Sequence, residues 1–317
     1  TLDIVYDADK NKFINIIWKL INLINFFLSK ILTMFIIFYE LLNIKKINNS
    51  NFFKKDTSNN KRCFIFGSAP SLNTFDVNKV SDNDKTFVCN SFYLSQISDK
   101  LRADYYTILN TGWMKFIDLH SGDNQLNLDK VFFKLGNKYS NTNFVFGNNY
   151  IKHYKKYIEK NLNSYSYFNI SSISPINYFP KTINYKSIIP HPVDVTQFNL
   201  ILAYALGFKE IFLISVEQPF EKDLIEGYKR ASDISENLTE NLSFKPKAYL
   251  NKDSKLNKEF SKEHNLESEQ LYFNHAWWHW FRGYNYYHLY EIFKSNNVNI
   301  YRAEDNGTLN FIPVKKI

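Results

Sequence analysis

The chain has 317 residues, 44% of them apolar, which allows one large α/β domain or two small ones with a sizeable core. Its formal net charge of +8 favours polyanionic partners such as phosphates, sugar nucleotides or an anionic membrane. No helix-turn-helix, zinc-finger or ribonucleoprotein motif is present, so a recognisable nucleic-acid module is excluded.

The aromatic share is 18%, and Asn and Lys are abundant throughout. That mixture fits the coding bias of an AT-rich genome, so no single aromatic is read as a ligand platform. Cys63 and Cys89 sit in apolar runs and read as buried thiols, which suits a reducing compartment.

In chain order, residues 12–45 are the most apolar, interrupted by Lys19, Lys30 and Glu40. The charge-free pieces 20–29 and 31–39 are each about half of the ~20 residues a spanning helix needs. Helical spacing and basic flanks (Lys10, Lys12, Lys45, Lys46, Lys54, Lys55) predict an amphipathic helix or helical hairpin lying on an anionic leaflet. Packing on the protein's own core or an oligomer contact is the alternative. No small-residue cleavage site follows, which reads against a secretory signal. Residues 46–61 are polar and Asn-rich and predict a linker between an N-terminal helical, membrane-associating segment, 1–45, and a folded domain, 62–317.

Beyond it, strands are predicted at RCFIFG (62–67), KTFVCNSFYL (85–94), RADYYTILN (102–110), NTNFVFGN (141–148), KEIFLISVEQ (209–218) and VNIYRA (298–303). Helices are predicted at FNLILAYALGF (198–208), capped by Gly207, and at NYYHLYEIFKSNN (285–297). Continuous apolar strands alternating with helices predict an open, mostly parallel, Rossmann-like sheet covered on both faces. Ligands bind such sheets beyond the carboxyl ends of the strands.

Three predicted strands run out into Gly67-Ser68, Asn90 and Asn110, lining that edge with amides, hydroxyls and backbone N–H groups. Asn can donate to a phosphate and hold a ribose hydroxyl without adding charge. The loop GSAPS (67–71) has neither a P-loop lysine nor the further glycines of a dinucleotide fingerprint. Its small residues are read as letting the backbone approach a phosphate. Asp7-Ala8-Asp9 and Asp82-Asn83-Asp84 look like Asp-x-Asp metal motifs but stand outside core strand ends and are set aside.

FGSAPSL, VCNSFYL, YYTILNTGW, AYALGFKEIFLISVEQPF and NNVNIYRAEDNGTLNF, in this order over roughly 62–312, resemble blocks of the bacterial sialyltransferases of glycosyltransferase family forty-two. The motility-accessory proteins of flagellated bacteria share the Gly-Pro-Ser loop. The resemblance implies a GT-A-variant fold and metal-independent, inverting transfer of an acid sugar (sialic acid, Kdo or a related nonulosonic acid) from a CMP-sugar, with no cofactor. It implies nucleotide binding by Gly67, Ser68, Ser71, Asn90 and Asn110, with Thr196 and Gln218 as counterparts of further nucleotide contacts and Tyr228 as a phosphate-binding hydroxyl. Position 68 is Ser where the family has Asn, and Glu217 or Gln218 and Phe220 replace a family Asp and Tyr.

An inverting transfer needs a base to take the acceptor's proton, and histidine suits by its near-neutral pKa. The stretch 274–282 (NHAWWHWFR) holds two candidates. Counting back from the Tyr301 strand by the family's pattern selects His279, a few residues before the last helix, with His275 as rival. The pair also has the i, i+4 spacing of metal ligands, without the Glu of a zincin. The flanking tryptophans either dock acceptor sugar or pack. Arg230, Arg282 or Lys229 could neutralise the leaving phosphate.

The expectation is a peripheral enzyme at the cytoplasmic face of a bacterial inner membrane, acting on a glycan acceptor such as lipooligosaccharide, with a homo-oligomer left open. A motility-accessory-type protein glycosyltransferase and a non-catalytic nucleotide- or glycan-binding scaffold are the alternatives.

Overall fold

The computed structural model describes residues 12–42, 62–109, 128–147, 151–171, 173, 175, 179–180, 183, 188–216, 268–304 and 309–317. The predicted linker 46–61 lies outside them. Eight strands form one sheet: β1 (Arg62–Phe66), β2 (Lys85–Cys89), β3 (Tyr105–Ile108), β4 (Asn143–Gly147), β5 (Tyr165–Ile170), β6 (Ile188–Ile189), β7 (Glu210–Ile214) and β8 (Asn299–Arg302). Their spatial order is β6-β5-β4-β3-β2-β1-β7-β8, and every neighbouring pair is parallel. The chain thus lays six strands outward from β1, then returns to place β7 and β8 on its other side.

Successive residues of a strand point to opposite faces. On one face Cys63, Ile65, Phe87, Ile211 and Leu213 meet α4 (Val195–Leu206) and α5 (Ser268–Ser295) through Phe198, Leu202, Tyr286 and Phe293. On the other, Phe64, Phe66, Tyr106, Phe144 and Phe212 meet α2 (Leu128–Lys138) and α3 (Ile151–Asn161) through Phe132, Leu135 and Ile158. That second face is an aromatic layer, with Phe64 stacked on Phe212 at 5.2 Å and Tyr106 on Phe144 at 5.4 Å. Burial on both faces explains why β1, β2 and β7 read as unbroken apolar runs. Cys63 and Cys89 are buried thiols outside any disulfide, and burial pushes Cys63 well up.

Several predicted elements change in extent. The strand at 85–94 stops at Cys89, because Asn90 takes φ 47° and the chain enters a 3₁₀ turn, Asn90–Leu94. The strand at 102–110 shrinks to Tyr105–Ile108, and just before it the Asp104 carboxylate accepts the N–H of Thr86 at 3.0 Å. β5, β6, α2 and α3 were not foreseen. The N-terminal segment is one continuous helix, α1 (Lys12–Leu42), in place of the hairpin alternative. α4 ends as predicted, with Gly207 in the left-handed region at φ 87°.

Candidate functional site at the carboxyl edge between β1 and β7

Strand order reverses beside β1, and in open parallel sheets a ligand crevice opens at such a switch point. β1 leaves the sheet through Gly67 into a 3₁₀ turn, Pro70–Thr74, laid against the end of β7. Gly67 N–H donates to Ile214 O at 2.8 Å and Ala69 N–H to Ser215 O at 3.2 Å. The Ser71 hydroxyl donates to that of Ser215 at 2.9 Å. A Cβ on Gly67 would stand 2.2 Å from the Ser215 carbonyl oxygen. The small residue at the end of β1 is therefore required by the protein's own backbone. Ser68 is half-buried in the link between Gly67 and that turn.

Ser215 is itself a buried non-glycine residue at φ 54°, and its N–H donates to Glu304 Oε2 at 2.8 Å. Glu304 follows β8, so three strand ends converge on one serine. Neither residue was picked out in the sequence.

Asn90 follows β2, the next strand over. Its carbonyl accepts from Tyr106 Oη at 2.5 Å, and that oxygen accepts from Tyr93 N–H at 3.3 Å. Burial pushes the Tyr106 phenol far above its ordinary range, so it stays a donor. The Asn90 backbone is pinned in a left-handed conformation, while its side-chain Oδ1 is buried with no protein partner among the described residues. A strained non-glycine residue with an unmet buried acceptor is a feature of ligand sites. Asn110 lies outside the described residues; β3, which precedes it, flanks β2.

α4 runs antiparallel to the strands, so its first turn stands at this same edge. Asp194 caps it, accepting Gln197 N–H at 2.8 Å, and also accepts from Tyr286 Oη at 3.1 Å. Thr196 is buried in this turn. The Arg282 Nε lies 3.6 Å from Asp194 Oδ2, a loose ion pair that leaves this buried nitrogen without a hydrogen bond among the described residues. Gln197 ties the two helices by donating to Arg282 O at 3.1 Å. One turn further, Asn199 is fully buried with neither amide atom partnered among the described residues.

α5 contains the whole stretch 274–282, so the predicted base lies inside the last helix and not before it. Sequence periodicity hid this, because aromatic residues occupy both sides of the helix. Positions 275, 279, 282, 286, 289 and 293 share one helix face by spacing. That face meets Asp194 at Arg282 and Tyr286 and is buried at Leu289 and Phe293. Trp277 and Trp280 are 52% and 61% exposed and stack on Phe281 and Tyr284 at 4.9 and 5.2 Å.

Gln218, Tyr228, Lys229 and Arg230, with Glu217 and Phe220, lie outside the described residues. Among the described residues no cluster of three or more His, Cys, Asp or Glu is disposed to hold a metal. At the opposite edge of the sheet a polar hollow of about 530 Å³ is lined by charges that pair with one another, Lys85 and Arg102 with Asp104 and Lys138 with Asp99.

No family model matches the chain, and no curated protein sequence matches it. Solved structures do. The chain is similar to the monofunctional alpha-2,3-sialyltransferase Cst-I of Campylobacter jejuni at 18% identity, covering 82% of each chain with a TM-score of 0.42. It is similar to the sialyltransferase CstII of the same organism in complex with cytidine-5'-monophosphate, at 17% identity over 80% of this chain and 84% of that one, with a TM-score of 0.38. CstII in complex with a trisaccharide acceptor and CMP aligns at 16% identity over 80% and 85%, with a TM-score of 0.40.

Proposed function

We propose that the chain is an inverting glycosyltransferase that moves an acid sugar from a CMP-activated donor to a hydroxyl of a glycan acceptor such as lipooligosaccharide. The observation that carries this reading is Asn90, a strained strand-end residue whose buried side-chain oxygen has no protein partner among the described residues. It follows β2, the neighbour of β1, whose outgoing loop 67–71 opens the ordered sialyltransferase-like blocks. In this reading Asn90 and Asn110 hold the cytidine ribose and phosphate, beside Ser68, Ser71 and Thr196.

The acceptor hydroxyl attacks the anomeric carbon, and the bond from that carbon to the CMP phosphate oxygen breaks. His279 takes the acceptor's proton as the new bond forms. CMP leaves with the bonding electrons. Hydroxyl, amide and backbone N–H donors stabilise the phosphate, with Arg282, only loosely paired to Asp194, and Tyr228 and Gln218 of 217–267 beside them. Transfer is expected to persist in the presence of EDTA.

The test is thermal melting of the purified chain with CMP, UMP, GDP or buffer. Ligand binding to the folded state raises Tm by mass action. A rise specific to CMP and lost in Asn90→Ala is the expected result, followed by transfer assays with individual CMP-sugars. Equal shifts with all nucleotides, or none, overturn the proposal.

A further inference from the structure

α1 spans 31 residues and, among its described side chains, exposes most of the large apolar ones. Leu20, Ile24, Phe27, Ile31, Phe35 and Phe38 are 49–69% exposed and fall by helical spacing on one face. Leu28, Leu32 and Tyr39, at 58–68%, widen that face to about half the circumference. Opposite runs a narrow stripe, positions 15, 22, 29, 33 and 40, occupied by Asn, Asn, Ser, Thr and Glu. Positions 12, 19 and 30, all lysine, line up along one border between the two. No helix among the described residues is long and apolar enough to cross a membrane.

We propose that α1 lies in the plane of a lipid surface bearing anionic headgroups, its Phe-rich face in the acyl boundary and its lysine row among the headgroups. The charge pattern selects this occupant. The helix carries three lysines and a single glutamate, and lysines follow it at 45, 46, 54 and 55. A second copy of α1 would bring almost no carboxylate to meet that row. Anionic headgroups meet it, while the lysine stems extend the apolar cover. The apolar arc is also broader than the two-position seam of a coiled coil. This inference is independent of the transfer chemistry.

The test is flotation of the full chain with vesicles of phosphatidylcholine alone or mixed with phosphatidylglycerol, paired with sedimentation velocity in the absence of lipid. The chain is expected to float with mixed vesicles, and Ile31→Ser/Phe35→Ser/Phe38→Ser to abolish flotation at unchanged Tm. Lys19→Glu/Lys30→Glu should weaken partitioning by roughly five-fold or more per lysine, with high salt doing the same. A chain that stays at the bottom of the gradient overturns the proposal. So does flotation indifferent to the serine substitutions or to phosphatidylglycerol. A dimer that the serine variant dissociates, without flotation of the parent, assigns the face to a second copy.

Discussion

Gly67 and Ser215 illustrate how a strand-end residue serves the protein before any ligand. The glycine admits the Ser215 carbonyl at a distance no side chain tolerates, and the serine accepts a left-handed backbone held by Glu304. Gly67→Ala should cost about 2–3 kcal/mol in urea unfolding of the ligand-free chain, because the clash is with backbone that cannot swing away. An alanine variant of wild-type stability would mean that the loop has room to shift. Gly67, Ser71 and Asn90 were legible as small or polar residues ending apolar runs. The reason for Gly67 was not, since Ser71 meets Ser215 across 144 residues and Ser215 meets Glu304 across 89. Nothing local marks either partner.

Elements buried on both faces were the easiest to read. β1, β2 and β7 carry nearly pure apolar runs, and α4 declares its end with Gly207. β5 escaped because buried Ser166 and Asn169 interrupt its pattern, and β6 because it is two residues long. α5 was read at less than half its length, since exposed Trp277 and Trp280 give its outer side the look of a core. Its true extent brings positions 275 and 279 onto the face of Arg282 and Tyr286, one to two turns toward the helix start. His279→Gln is expected to lower kcat by about 10²–10⁴ while leaving CMP-induced melting shifts intact. His275→Gln should retain most of kcat; the reverse pattern in steady-state transfer assays would exchange their roles.

At the scale of the sheet, several ion pairs among the described residues gather at its amino edge. Arg62 grips buried Asp84 through two hydrogen bonds of 2.7 and 2.6 Å, and Ser81 N–H adds a third at 2.9 Å. Burial alone would raise the Asp84 carboxyl, but these donors outweigh it and hold it below its ordinary range. A carboxyl depressed on folding contributes stability above its unfolded pKa, near 4, and loses it as pH falls through the folded value. Unfolding free energy should therefore decline on acidification below about pH 4. Asp84→Asn is expected to cost roughly 2–4 kcal/mol at pH 7 and to flatten that acid limb in denaturant titrations. An unchanged acid limb would assign the decline to other carboxyls.

The strand order also fixes when, during synthesis, the crevice can exist. β1 finds β2 at residues 85–87, but its other flank waits for β7 at 210–214. Until that stretch leaves the ribosome, the flank of β1 carrying Cys63, Phe64, Ile65 and Phe66 lacks its native partner, and unpaired strand edges are prone to pair with other chains. Closing it requires a contact of long sequence separation, the kind that slows folding. The same late arrival of β7 also delivers Ser215 to Gly67. The growing chain thus closes this apolar edge at the same step that builds its crevice.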